Sequence, residues 1–102
     1  MDWNILSNKA IVQEIGKRIK TYRIDKRYTQ QDLAIRAGVS LFTLAKIEQG
    51  KPVSIIMLLA VLRVLRLLDN LEMLLPDIGI SPIKMLELQG KKPQRIRPKK
   101  QK

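Results

Sequence analysis

The stretch from Thr29 to Gly50 most narrows what this chain can fold into, because it holds two short apolar-patterned segments with a glycine between them. Thr29 followed by Asp32 has the form of a capping box, in which a hydroxyl and a carboxylate each take a backbone N–H that the first helical turn leaves without a partner. A helix is therefore expected from Gln30 to about Ala37. Gly38, directly after it, suits the left-handed conformation in which helices commonly end, so the chain turns there. Ser40 is a natural N-cap for a next helix, Leu41 to Glu48, which Gly50 and Pro52 bring to a close. Ala34 is small where two helices joined by so short a turn must cross. Leu33, Val39, Leu44 and Ile47 are placed to lock the pair to a core.

The flanking sequence is helical in pattern as well. In Asn8–Arg23 the apolar residues Ile11, Val12, Ile15 and Ile19 alternate with Lys17, Arg18 and Lys20 as on an amphipathic helix. A further helix over about Ser54–Leu68 is apolar on nearly every face, so it needs cover from more than one side, and a second copy of the chain is the simplest supplier. A short helix over Asp69–Leu75 ends before Pro76, and Ser81 with Pro82 starts another, Pro82–Gln89, that Gly90 terminates. No strand-period alternation, phosphate-binding glycine loop or internal repeat is present. The expected class is all-α: a compact bundle of about five helices around a helix-turn-helix, with a short C-terminal helix and a basic tail. The expected boundaries are 1–7 for an N-terminal arm, 8–75 for the helix-turn-helix domain, 76–90 for an apolar element and 91–102 for a disordered basic tail.

Composition limits the chemistry. The chain has no cysteine and no histidine, which removes disulfides, thiolate nucleophiles, zinc-thiolate sites and the commonest general base. Glu14, Asp25, Glu72, Asp77 and Glu87 show no spacing that pairs them with a nucleophile or a metal ligand, so no enzyme, metal or cofactor is expected. A formal charge of +11 favours a polyanionic partner and salt-dependent association. Seven of the 20 basic residues lie in Lys91–Lys102 without an acid among them, so the tail is a separate electrostatic object. The longest apolar run, Ile55–Leu62, falls well short of the roughly 20 residues that span a bilayer. Met1–Ser7 lacks the basic start and apolar run of a signal peptide. The expected location is cytoplasmic and nucleoid-associated, with no membrane partner.

The run Thr29-Gln-Gln-Asp-Leu-Ala-Ile-Arg-Ala-Gly-Val-Ser, followed by Ile47-Glu-Gln-Gly, resembles the Xre/Cro/C1 family of bacterial and phage repressors, whose motif reads Thr-Gln-x-x-Leu-Ala-x-x-Ala-Gly-Val-Ser and then Ile-Glu-x-Gly. The likeness spans about Ile15–Leu68. It implies a lambda-repressor-like bundle whose second motif helix enters the major groove of an operator. By position it implies DNA contacts from Gln30 and Gln31 at the start of the first motif helix, from Ser40, Leu41, Phe42, Thr43 and Lys46 on the recognition helix, and from Lys51 beyond it. Leu41 and Phe42 are apolar where many members carry Gln or Arg, which points toward thymine methyl groups and leaves Thr43 and Lys46 as polar readers. The resemblance also implies an ion pair between Arg23 and Glu48, a structural one. A palindromic double-stranded operator bound by a homodimer is the implied partner, with half-sites roughly 34 Å apart.

The segment from Leu74 to Gly90 and the basic tail further resemble HipB-like antitoxins, which implies autoregulation of a toxin-antitoxin operon and binding to a HipA-like kinase toxin. A phage-type or restriction-modification controller without a toxin, and a protein-interaction module that keeps the motif as scaffold, are the competing readings. The apolar element at 76–90 fits core or dimer packing as well as toxin docking. The tail, through Arg95 and Arg97, fits a minor-groove arm as well as a solubilising end. Trp3, Ile5 and Leu6 read as a packing arm without chemistry.

Overall fold

The computed structural model describes residues 1–79. It is all-helical over that range, as the periodicity leads one to expect. The helices are α1 (Asn8–Asp25), α2 (Gln30–Ala37), α3 (Leu41–Glu48), α4 (Ile55–Val64) and α5 (Leu71–Leu74), with 3-10 turns at Trp3–Ile5 and Leu68–Asn70. The helix expected at Pro82–Gln89 and the tail with Arg95 and Arg97 lie outside the described residues.

Each of the first four helices starts on a side chain that supplies an acceptor. Ser7, Thr29, Ser40 and Ser54 take the N–H groups of Ala10, Asp32, Thr43 and Ile56. At Thr29 the box is reciprocal: the Asp32 carboxylate accepts the Thr29 backbone N–H at 2.9 Å while the Thr29 hydroxyl accepts the Asp32 N–H at 3.0 Å.

The same four helices also end alike. A residue with positive φ follows the last turn, and two backbone N–H groups reach back to carbonyls left open by the helix. At α2, Gly38 donates to the Ile35 carbonyl and Val39 to that of Ala34, at 3.2 and 3.0 Å. At α3, Gly50 and Lys51 donate to Ile47 and Lys46. At α1 the positive-φ residue is Arg27, with Tyr28 bonded to Arg23, and at α4 it is Arg66, with Leu67 bonded to Leu62. Two expected boundaries move for this reason: α1 runs on to Asp25 rather than Arg23, and α4 stops at Val64 rather than Leu68. The expected Asp69–Leu75 helix shortens to a 3-10 turn and the single α-turn of α5.

The core consists of Ile19, Leu33, Ala34, Leu44, Ile47, Val61 and Leu65, with Ile15, Val39 and Leu58 packed against it. It draws on α1 through α4, so the two motif helices are held from both sides. Val12, expected on the buried stripe of α1, is 38% exposed. Helix α4 buries Val61, and Leu65 follows it into the core, while Ile55, Ile56 and Met57 face outward. Helix α1 meets α3 through Gly16, where a methyl group would collide with the Ile47 carbonyl oxygen and stand 2.9 Å from that of Glu48. Only a glycine lets the two backbones approach this closely. At the N-terminus Trp3 is half-buried, with the Arg18 guanidinium 4.7 Å from its ring centroid, and Ile5 is exposed.

Candidate nucleic-acid interface

Of the residues that sequence assigns to a DNA-reading face, Gln30 and Gln31 open α2, Ser40, Leu41, Phe42 and Thr43 open α3, and Lys46 follows one turn on, so the position of α3 decides what most of them can reach. Two connections hold it. One is the Gly16 contact at its C-terminal end. The other is a buried ion pair: Arg23 Nε donates to Glu48 Oε2 at 2.7 Å and Arg23 Nη2 to Glu48 Oε1 at 3.1 Å, with the two side chains 10% and 3% exposed. Arg23 Nη1 also donates to the Tyr28 carbonyl oxygen at 2.9 Å, so the guanidinium ties α1, the α1–α2 turn and α3 together. Bidentate geometry of this kind offsets part of the desolvation of both charges.

Gln30 joins this network, its side-chain amide donating to Glu48 Oε1 at 3.0 Å. Its amide is thereby turned toward the end of α3 and carries one fewer donor to the outside than a free glutamine. Gln31 is exposed on the first turn of α2. Ser40 caps α3 through the Thr43 backbone N–H, and its hydroxyl also pairs with the Thr43 hydroxyl at 2.9 Å. Leu41 is 47% and Phe42 73% exposed, so neither belongs to the core that Leu44 and Ile47 fill. Lys46, one turn after Phe42, holds its ammonium 5.5 Å from the Phe42 ring centroid, a cation–π contact on the helix surface. Lys51 is exposed just after Gly50. The structure thus gathers Ser40, Leu41, Phe42, Thr43 and Lys46 on α3, with Gln30 joined to that helix through Glu48. Arg95 and Arg97 lie outside the described residues.

Electrostatically, the Asp32 carboxyl at the start of α2 has a lowered proton affinity. The Thr29 backbone N–H, then the Thr29 side chain and, more weakly, the Arg36 cation hold its carboxyl below the usual carboxylate value. Arg36 itself sits over the Tyr28 ring at 4.6 Å. Among the described residues no cluster of acids is arranged to hold a metal ion, and no helix is long and apolar enough to cross a membrane.

Gly16 and the donation from Gln30 to Glu48 escape a reading of the sequence alone. For Gly16 a signal was present: a glycine inside an amphipathic helix weakens it, so some packing reason for it is to be expected. For Gln30 there was none, since the partner lies on another helix.

No curated protein matches the chain. Among solved structures, a chain of the SinR protein/SinI protein complex is similar, with 33% identity, coverage of 74% of this chain and 91% of that one, and a TM-score of 0.48. A family model described as a helix-turn-helix domain matches residues 14–74, from the middle of α1 through α5. That span is more than half of the 102 residues and contains the capped pair α2–α3, its glycine turn and the helices that bury it. The chain therefore belongs to the helix-turn-helix domain family.

Proposed function

We propose that this protein is a sequence-specific transcriptional repressor of the Xre/Cro/C1 type, acting by binding rather than by catalysis. It lays α3 in the major groove of a palindromic or near-palindromic operator as a homodimer. The observation that carries this reading is the outward face at the start of α3: the cap Ser40 with Leu41 and Phe42 is exposed, Thr43 and Lys46 are half-buried beside them, and the helix is anchored by Leu44, Ile47 and the Arg23–Glu48 pair. Gln30, Gln31 and Lys51 flank that face and supply phosphate contacts that set orientation, and the basic tail with Arg95 and Arg97 adds affinity for any duplex. The second copy covers Ile55, Ile56 and Met57, which one chain leaves exposed.

The test is a gel-shift titration against the protein's own upstream region and a scrambled duplex at about 150 mM salt, near physiological screening. Preference for the upstream duplex that disappears when Thr43 and Lys46 are replaced by alanine supports the reading. Equal affinity for both duplexes refutes it in favour of a protein-interaction module.

A finer reading, an antitoxin of the HipB kind, is favoured by the apolar residues Met73, Leu74, Leu75 and Ile78, all exposed at 71–85%. This strip offers a site for a protein partner, and the proposed partner is a HipA-like kinase toxin. Co-elution of the two purified proteins on size exclusion, lost when Leu74 and Leu75 become serine, is the expected outcome. Failure to co-elute at micromolar concentrations leaves a regulator without a toxin.

A further inference from the structure

The polar groups on the exposed face of α3 are largely turned on one another. The Ser40 and Thr43 hydroxyls pair at 2.9 Å, the Ser40 oxygen also takes the Thr43 backbone N–H, and Lys46 leans across the Phe42 ring. Gln30, at the start of α2, donates to Glu48. The groups left most open are apolar: Phe42 at 73% and Leu41 at 47% exposure, adjacent on the first turn of the helix.

An aromatic ring in that place contributes nothing to the core, and the Lys46 ammonium stands 5.5 Å from its centroid. The first turn is the part of a recognition helix that reaches base edges. In the major groove the one apolar feature at a base edge is the methyl group on C5 of a pyrimidine, which thymine carries and cytosine lacks. The geometry points to Phe42 as a reader of a pyrimidine 5-methyl group, with Leu41 and Lys46 beside it. Thymine and 5-methylcytosine present the same group at the same place, so the chemistry read is the methyl rather than the base. This inference rests on the DNA-binding reading above and adds Phe42 to Thr43 and Lys46 as a source of sequence discrimination.

The experiment starts with the full chain and in vitro selection from a randomised duplex library. Each thymine of the selected sequence is then replaced singly by deoxyuridine, which removes the methyl group and nothing else, and affinity is read by fluorescence anisotropy. At one thymine per half-site the replacement is expected to weaken binding about three- to fivefold, the transfer free energy of one methyl group. The Phe42→Ala variant, altered at an exposed position, should bind the thymine and uracil duplexes equally. At the same position, 5-methylcytosine against cytosine distinguishes the sources. A like ratio assigns the effect to the methyl on either base, and an effect at thymine alone assigns it to thymine. If a consensus emerges but no uracil replacement changes affinity by more than about 1.5-fold, or the ratio survives in Phe42→Ala, the methyl-reader assignment is overturned and DNA recognition stands. If no consensus emerges, both fall.

Discussion

Helices α2 and α3 close on Gly38 and Gly50, while α1 and α4 make the same pair of terminal hydrogen bonds around Arg27 and Arg66. The hydrogen bonding is equivalent, but the strain is not. A side chain in the left-handed region costs roughly 1–2 kcal/mol that glycine does not incur. The arginines are held there by what flanks them. Leu65 is buried and Leu67 half-buried on either side of Arg66, and Tyr28, after Arg27, is bonded through both its N–H and its carbonyl to Arg23. The motif helices are thus ended by local backbone preference, and the outer two by tertiary packing that outweighs that preference.

The largest effect is expected at the network joining the two sets of helices. Replacing Glu48 by alanine leaves Arg23 buried without its counter-charge and removes the acceptor of Gln30, so a loss of about 3–5 kcal/mol is expected in urea denaturation. A loss under about 1 kcal/mol, the value for exposed pairs, would mean that the pair does not hold α3. Next comes Gly16→Ala, which forces α1 and α3 apart at the Ile47 and Glu48 carbonyls. About 1–3 kcal/mol of destabilisation should follow, with weaker binding to the proposed operator in gel shift because α3 moves. Stability equal to that of the parent would show that the crossing relaxes freely.

A reciprocal exchange of the cap residues separates backbone strain from packing. A Cβ at Gly38 meets nothing within 4 Å, so Gly38→Arg isolates the backbone cost and should lower stability by about 1–2 kcal/mol. Arg66→Gly should raise it, by about 0.5–1 kcal/mol once the extra chain entropy of glycine is subtracted. Thermal melts of the two variants moving in the same direction would contradict the account of the caps.

The smallest effect is a pH dependence at the start of α2. Because the folded state holds the Asp32 carboxyl below its ordinary value of 3.8, its contribution is complete above that pH and is lost as pH falls through the lowered value. The melting difference between the parent and Asp32→Asn should therefore be largest near neutrality and shrink in acid. A difference that stays constant down to about pH 2 would place the effect in packing rather than charge.

The parts of this protein legible in its residues alone are those that rest on interactions within a few positions. Thr29 with Asp32, Ser40, Gly38 and Gly50 set both bounds of α2 and α3 as expected, since a hydroxyl cap or a left-handed glycine acts on its own turn. The exposure expected of Phe42 was legible in the same way, because Leu44 and Ile47 already occupy the buried face of α3. Tertiary structure alone decided the ends of α1 and α4, where no glycine marks an arginine that packing forces into the left-handed region. It alone decided the approach of α1 to α3 at Gly16, the turn of Gln30 toward Glu48, and which side of the apolar helix α4 is buried. Each of these depends on a partner distant in the chain, and local pattern carries no record of where such a partner will lie.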